Sequence, residues 1–178
     1  MDSRSLGKHQ AKSILVLDKH ELMAGKVSAL LSRRASRDLF DSHAFLKDYS
    51  FDIDKLRLAF VVYGGMSRRD WREVSLDDVG YNLNEFSNTL LPTLRKEYAS
   101  NIKEVRVWAD RLVVECREGL SVLLPLRANE IDFLTSLNEE GEIHPELLTS
   151  DEELARKIEK QPALLWKARN VREFRKRS

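Results

Sequence analysis

The chain contains little glycine, proline and cysteine, and it lacks a long apolar run. Only 7 glycines and 4 prolines occur among its 178 residues, which favours helices over a loop-rich β fold. The longest unbroken apolar stretch, Leu58 to Tyr63, is far shorter than the ~20 residues that a membrane span needs. The first thirteen residues are polar and lack a signal-peptide core. These absences predict a soluble, mainly helical, cytoplasmic protein.

The single cysteine and the nearly equal numbers of basic and acidic residues further limit which kinds of function are expected. Cys116 is the only cysteine, so no internal disulfide can form, which fits a reducing cytoplasm. It lies in an apolar run without a histidine near it in sequence, which favours a buried structural thiol over a nucleophile. The 30 basic and 29 acidic residues give no global attraction to nucleic acid or membrane. Electrostatic recognition would have to come from local patches.

Apolar periodicity predicts helices over most of the chain. Asp18 is the expected N-cap of a helix that runs to about Arg33, with Glu21 completing a capping box. A second helix is expected from Ser36 to Lys47 after a short join, which should pack the two helices together. Further helices are expected over residues 53–63 (ended by Gly64-Gly65), 83–98 (kinked at Pro92), 129–139, 150–161 and from 162 into the basic tail.

A different pattern is found around residues 102–125. Val105 to Trp108 and Leu112 to Val114 are rich in β-branched residues and are separated by three residues, which predicts a small antiparallel meander. The expected fold class is therefore α+β, mainly α: a helical bundle with a small antiparallel β meander around residues 102–125. The expected organisation is a lead-in over 1–17, a helical domain over 18–100, and a meander with C-terminal helices over 101–178, the last two alternatively forming one continuous domain.

The stretch with most chemical information is the predicted hairpin of the first two helices. Placing residues at 100° intervals puts Lys26 inside the apolar arc of its helix, so its ammonium group needs a partner. On the second helix Arg37, Asp38 and Asp41 share a face, and the short join could bring Asp41 toward Lys26. Such a pair in a cleft could position a phosphate-bearing substrate with a metal or a general base. Two plain alternatives remain: an i,i+4 pair of Arg37 with Asp41, and a Lys26 that extends its ammonium into water.

The same stretch resembles the AbiEii/AbiGii toxin family of nucleotidyltransferase-like proteins, which are often partnered with an antitoxin. The similarity in the hairpin is an ordered set: Lys26 within an apolar helix, Ala29-Leu30, Arg33, and Arg37-Asp38-x-x-Asp41. Residues 145–149 and 162–172 near the C-terminus are also similar to family members. Each element alone is common, whereas the ordered set is moderately specific.

The resemblance implies roles for individual residues. Lys26 would contact the phosphates of a nucleotide, and Asp41 would have a catalytic or base role. Arg33, Arg37 and Asp38 would support nucleotide binding. The implied substrate is a nucleoside triphosphate, the implied cofactor is Mg²⁺, and the implied partner is an antitoxin. RNA is a further partner that the resemblance suggests, as the molecule modified.

One part of the family pattern is not found in this sequence. The family's catalytic domain opens with a Gly-Ser or Gly-Thr turn followed by an Asp-x-Asp pair that binds magnesium. Asp52-Ile53-Asp54 has no glycine turn before it and suits a helix N-cap better. Gly64-Gly65 follows the Lys26–Asp41 block and suits a helix stop. We therefore expect the C-terminal portion of such a protein, truncated before its metal-binding half, with no metal site of its own and inactive alone.

The alternative interpretation is a non-enzymatic helical module that binds an antitoxin, RNA or a second copy of itself. Local basic patches favour this reading. Arg68, Arg69 and Arg72 flank Trp71, which would be available to stack on bases, and six basic residues lie between 167 and 177. A solvated surface and a basic helix end would explain the same patches without a ligand.

Overall fold

The structure is a computed structural model that describes residues 5–95 and 104–177. It confirms the expectation of a mainly helical fold. The α-helices, in chain order, are α1 Lys19–Arg33, α2 Ser36–Asp48, α3 Ile53–Met66, α4 Leu83–Glu85, α5 Val105–Leu120, α6 Ala128–Thr135, α7 Glu152–Glu159 and α8 Pro162–Arg175. Single turns of 3₁₀ type cover Trp71–Glu73, Leu76–Asp78, Leu91–Thr93 and Pro145–Leu147, and π turns cover Phe86–Leu90 and Ser136–Glu140.

The β meander that the sequence predicted around residues 102–125 is wrong. Helix α5 occupies most of this range, and the only β feature in the described residues is one bridge between Leu6 and His9. The buried residues of α5 recur every three or four positions, which is the helical period. They are Ala109, Leu112, Cys116 and Leu120. The preference of valine for strands is weak. Burial of this apolar stripe therefore favours the helix over the predicted strands.

The first two helices are positioned as their sequence predicted. The Asp18 carboxylate accepts a hydrogen bond from the His20 amide at 2.8 Å and caps α1. The chain then reverses at Arg34, which adopts a left-handed conformation with φ 53°. Because only Arg34 and Ala35 separate the two helices, α1 packs directly against α2.

Helix α3 continues through the glycine pair that was expected to end it. Its last residue is Met66, so Gly64 and Gly65 both lie inside the helix. A Cβ atom on Gly64 would lie 2.0 Å from the Trp71 ring, which is fully buried. Glycine is therefore needed here for close packing, and the expected helix stop is wrong.

One hydrophobic core joins the N-terminal and C-terminal parts of the chain. Its largest fully buried side chains come from α1, α2, α3, α5, α6 and the turns between them. They are Trp71, Phe60, Phe86, Phe133, Met23, Leu30, Leu31, Leu39, Leu56, Leu112, Leu120 and Leu123. Cys116 is buried in this core, and burial raises the pKa of its thiol to about 12, as befits a structural rather than a reactive cysteine.

A buried ion pair locks α3 to the start of α6. The Arg57 guanidinium donates to both Glu130 carboxylate oxygens, at 2.9 and 2.6 Å, and the two side chains are 7% and 5% exposed. Arg57 also donates to the carbonyl oxygens of Val122 and Pro125, at 2.6 and 3.2 Å. The turn between α5 and α6 is thus fixed by one side chain.

Two further features concern membrane-spanning helices and exposed apolar side chains. In the described ranges, no helix has the length and apolar character that crossing a membrane requires. Residues 14–17, at the end of the expected lead-in, have no regular secondary structure. Their four apolar side chains are at least 40% exposed, and Leu15 is 98% exposed.

Candidate functional site

The α1–α2 hairpin brings Lys26 and Asp41 together. The Lys26 ammonium donates a hydrogen bond to Asp41 Oδ2 at 2.7 Å, across fifteen residues of sequence. Both side chains are partly exposed, at 26% and 32%. The Lys26 nitrogen also lies 5.5 Å from the centre of the Phe45 ring, one helical turn beyond Asp41, where the ring face attracts a cation. Lys26 therefore has the partner that its place in the apolar arc required.

The pair has unused hydrogen-bonding capacity. An ammonium group has three N–H donors, and Lys26 uses one of them on Asp41. A carboxylate can accept several hydrogen bonds, and only Oδ2 of Asp41 receives one from the described residues. Because both groups reach solvent, a ligand could bind the remaining donors and acceptor positions without breaking the pair.

A second ion pair fixes the start of α2 to the end of α1. Arg33 donates to both carboxylate oxygens of Asp38, from Nε at 2.6 Å and from Nη2 at 3.0 Å. The hydrogen bond to Asp38 raises the pKa of Arg33. Asp38 is 11% exposed whereas Arg33 is 65% exposed. The geometry favours a positioning role for Asp38, because its carboxylate is already fully engaged.

The N-terminus of α2 is also tied to α4. The Ser36 amide donates to Glu85 Oε2 at 3.1 Å, and the Ser36 hydroxyl donates to the Asn82 carbonyl oxygen at 2.9 Å. The Asn82 side chain in turn caps α4 by accepting from the Glu85 amide. These contacts set the direction in which α2 presents Arg37 and Asp41.

A cavity of about 360 Å³ opens beside Asp41, within the usual size range of small-molecule pockets. It is lined by Arg37, Phe40, Asp41, Glu85, Thr89, Leu90, Thr93 and Leu94. Arg37 is exposed and has no ion pair or hydrogen bond with any residue that the structure describes. The i,i+4 pair of Arg37 with Asp41 is therefore not formed. Lys26 contacts Asp41 but is not itself part of the lining.

A groove larger than the cavity beside Asp41 lies elsewhere and contains none of the predicted site residues. Its volume is about 550 Å³, and it separates α7 from α1 and α3. Leu58, Val62, Leu154 and Ile158 form its apolar floor, and Tyr63 lies in its wall. Burial raises the pKa of the Tyr63 phenol. Size alone would favour this groove, but its chemistry lacks the ordered lysine and aspartate pair of the hairpin.

The arginines at the join of α1 and α2 and around Trp71 are mostly engaged in ion pairs. Arg34 and Arg69 both donate to Asp78, at 2.7 and 2.8 Å. Burial alone would raise the pKa of Asp78, but the hydrogen bonds from the two arginines outweigh it and lower that pKa to about 2. Arg72 pairs with Asp70. Trp71 is fully buried, so the expectation that it is available to stack on bases is wrong.

The described carboxylates do not build a magnesium site. Asp41 and Asp38 are each paired with a cation, and Glu85 accepts hydrogen bonds from Ser36. Within residues 5–95 and 104–177 there is no group of three or more histidine, cysteine, aspartate or glutamate residues that could hold a metal ion. A cation would have to displace Arg33 before it could replace the hydrogen bonds on Asp38, and Asp41 alone would offer it one free carboxylate oxygen.

Sequence reasoning missed two residues of this site. Phe45 could have been found, because it lies one turn after Asp41 on the same face of α2. Glu85 carries no such signal, since it is 49 residues from Ser36 and only the folded chain brings the two together.

Comparison with known families gives one match. The family model described as nucleotidyl transferase AbiEii toxin, type IV TA system, matches residues 3–168. The matched range includes the whole α1–α2 hairpin and is not limited to one part of this chain. Comparison with curated proteins and with solved structures gives no match.

Proposed function

This chain belongs to the AbiEii family of nucleotidyl transferase toxins, and from that premise we propose that its Lys26–Asp41 pair binds a nucleoside triphosphate. The observation that carries the proposal is the 2.7 Å contact between these two partly exposed side chains beside a cavity. The pair unites the two most chemically active residues of the family-like motif. It also retains free hydrogen-bonding positions, which a purely structural pair would not need.

Two cations would hold the triphosphate. The two remaining N–H donors of Lys26 would bind phosphate oxygens while the third stays on Asp41. Arg37, which lines the cavity next to Asp41, presents a planar guanidinium that can bind a phosphate through two parallel hydrogen bonds. Both groups are close enough to the surface to meet a ligand without an opening motion.

Asp41 would act as the base. Its free carboxylate oxygen would accept the proton of an attacking hydroxyl group, whose oxygen would bond to the α-phosphorus as pyrophosphate leaves. Lys26 would stabilise the negative charge that develops on the phosphate oxygens in this step. Arg33 and Asp38 are positioning residues in this proposal, since their mutual pair sets the angle between α1 and α2.

The magnesium that the family implies would neutralise triphosphate charge, but the described carboxylates do not fit it. We therefore propose that the chain supplies one half of the active site. The metal-binding carboxylates would come from a segment outside the described residues or from a second chain. On this proposal the described residues bind nucleotide but do not transfer it alone.

A partner-binding role is the second candidate, and the exposed segment 14–17 favours it. Four consecutive apolar residues with side chains at least 40% exposed are unusual on a free protein surface. The type IV toxin–antitoxin description of the family makes an antitoxin the first partner to test. Leu17 lies one residue before the cap of α1, so a bound partner would contact the same helix that carries Lys26.

The proposal can be tested by calorimetric titration of the four ribonucleoside triphosphates, with and without magnesium. Wild type should bind at least one of them, and Lys26→Ala and Asp41→Ala should each lose that binding. Arg68→Ala is a matched control, because Arg68 is exposed and has no ion pair with another described residue. Nucleotide binding that survives both site variants would contradict the assignment. The absence of binding in the wild type would leave the partner-binding role.

A further inference from the structure

The outer face of α8 carries two large aromatic side chains in water. Trp166 is 64% exposed and Phe174 is 72% exposed. They are eight residues apart on the same ridge of the helix, with Asn170 midway between them, so a rise of 1.5 Å per residue places them about 12 Å apart. The opposite face of α8 buries Leu164 and Ala168 in the core. The two aromatic rings therefore contribute little to the stability of the fold.

The inner contacts of α8 hold this ridge in one orientation. Arg172 donates to the Gly141 carbonyl oxygen at 2.7 Å, and the Lys167 ammonium donates to the Ser67 carbonyl oxygen at 2.9 Å. A Cβ atom on Gly141 would lie 2.4 Å from the Ala168 carbonyl oxygen, so the chain passes very close to α8 at this point. The helix cannot rotate to bury Trp166 or Phe174 without breaking these contacts.

The charge of this surface differs from that of the whole chain. Residues 160–177 contain seven basic residues and one acidic residue, whereas the full chain contains 30 basic and 29 acidic residues. The single acid, Glu173, pairs with Arg169 at 2.8 Å. The basic residues are Lys160, Lys167, Arg169, Arg172, Arg175, Lys176 and Arg177. Lys167 and Arg172 are held by the inner contacts, so the positive patch of the outer surface is centred on Arg175, Lys176 and Arg177 at the end of α8.

We propose that the outer face of α8 binds single-stranded nucleic acid. Bases would stack on Trp166 and Phe174, and the surrounding cations would contact the phosphates. Stacking tolerates any base, so no sequence preference is expected. The proposed site shares no residue with the Lys26–Asp41 pair. Its test therefore does not depend on whether that pair binds a nucleotide.

The arrangement favours nucleic acid over a membrane surface. A helix that lies on a membrane needs a continuous apolar face for the lipid, and the continuous apolar face of α8 is already packed against the core. On the outer face, polar Asn170 separates the two aromatic residues, and cations lie on both sides. Exposed rings near cations match the alternation of bases and phosphates in a single strand.

Intrinsic fluorescence gives a direct test, because the three tryptophans differ in exposure. Trp71 is buried, Trp108 is partly buried and Trp166 is mostly exposed. Titration with oligouridine and oligodeoxythymidine of about 12 nucleotides, within the site sizes known for single-strand binders, should quench Trp166. The affinity should fall by more than about tenfold between about 50 and about 200 mM salt, because bound counterions are released from the phosphates. Similar affinity for the two oligomers would show that the 2′-hydroxyl is not read.

Variants separate stacking from charge. Trp166→Ala should weaken binding about tenfold or more, as expected for the loss of one stacked base, whereas Trp166→Phe should retain most of the affinity. Because Trp166→Ala removes the fluorophore, its affinity would be measured with end-labelled oligomers. Arg175→Ala/Lys176→Ala/Arg177→Ala should weaken binding and flatten the salt dependence. Lys8→Ala/Lys12→Ala/Arg68→Ala removes the same charge from other exposed positions and should leave the affinity nearly unchanged.

Three outcomes would overturn the proposal. The first is the absence of quenching or of oligomer binding at low salt. The second is binding that persists in Trp166→Ala and in the triple α8 variant alike. The third is partition onto phosphatidylserine-containing vesicles without oligomer binding, which would assign α8 to a membrane surface instead. Thermal melting of each variant would establish that the fold is intact.

Discussion

Two ion pairs of nearly equal length join separate helices of this protein, but they differ in burial and in the number of their hydrogen bonds. Arg57 and Glu130 approach to 2.6 Å and are 7% and 5% exposed. Lys26 and Asp41 approach to 2.7 Å and are 26% and 32% exposed. Arg57 also donates to two backbone carbonyl oxygens, whereas Lys26 has one hydrogen-bond partner, Asp41, among the residues that the structure describes.

The difference indicates what each pair does. A charge in the interior must have all of its hydrogen-bonding groups satisfied, since each unsatisfied group is costly there. Arg57 meets that condition and is structural. A pair at the surface contributes little to stability, because water screens it. The contact between Lys26 and Asp41 leaves donor and acceptor positions that the proposed nucleotide could use.

The largest expected effect is on the buried pair. Arg57→Ala would leave the Glu130 carboxylate buried without its cation, and we expect the free energy of unfolding to fall by about 3–5 kcal/mol. Urea denaturation followed by circular dichroism would measure the change. Replacing both residues together, as Arg57→Met/Glu130→Met, should recover part of the loss, because no unpaired charge remains. A loss below about 1 kcal/mol in the single variant would contradict a structural role.

The next largest effect is expected from Gly64, which packs under the buried Trp71, and it can be compared with Gly25, which lies next to Lys26. Gly64→Ala places a methyl group 2.0 Å from the fully buried Trp71 ring, and we expect a loss of about 1–3 kcal/mol from overpacking. Gly25→Ala, beside Lys26, places it 3.3 Å from the ring of half-buried Tyr63, which can move. There the higher helix propensity of alanine should offset the strain. Equal melting temperatures for the two variants would contradict the difference in packing.

Asp78, which accepts hydrogen bonds from Arg34 after α1 and from Arg69 after α3, gives a pH dependence of similar size. Its folded pKa, about 2, lies below the ordinary value of 3.8. Stability from this group is therefore fully present above about pH 4 and is lost as the pH falls toward 2, by about 2 kcal/mol in total. Unfolding free energies measured between pH 5 and pH 2 should show this slope, and Asp78→Asn should remove it. A slope that is unchanged in Asp78→Asn would assign it to other carboxylates.

The smallest stability effect is expected at the proposed site. Lys26→Met keeps most of the side chain and leaves Asp41 partly hydrated, so the unfolding free energy should change by less than about 1 kcal/mol. Nucleotide binding should nevertheless be lost. A large destabilisation by Lys26→Met would remove the contrast with Arg57 and would favour a structural role for both pairs.

Short-range signals predicted the helical framework well. The Asp18 cap and the apolar stripe located α1, and the start of α2 at Ser36 was also correct. α5 was misassigned because its β-branched residues were given more weight than the stripe at Ala109, Leu112 and Cys116, although the stripe was present in the sequence. Gly64 suggested a helix stop, since nothing in the sequence shows that Trp71 packs over it.

The contacts that fix the site depend on long-range folding. Lys26 and Asp41 could be singled out because both belong to one hairpin and to an ordered motif. The contact of Glu85 with Ser36 spans 49 residues, and that of Arg57 with Glu130 spans 73. Neither pair has a periodic or spacing signal in a single sequence. These long-range contacts were therefore hidden, whereas the residues proposed to bind the ligand and the Arg33–Asp38 pair were not.

The most direct test of this account is an amide NMR titration of isotope-labelled protein with the triphosphate that binds best. If the Lys26–Asp41 pair binds nucleotide, the largest chemical-shift changes should lie in α1 and α2 around Lys26, Arg37 and Asp41. Changes that instead concentrate around Tyr63 and Lys157, in the larger groove, would contradict the proposed site and assign nucleotide binding to that groove.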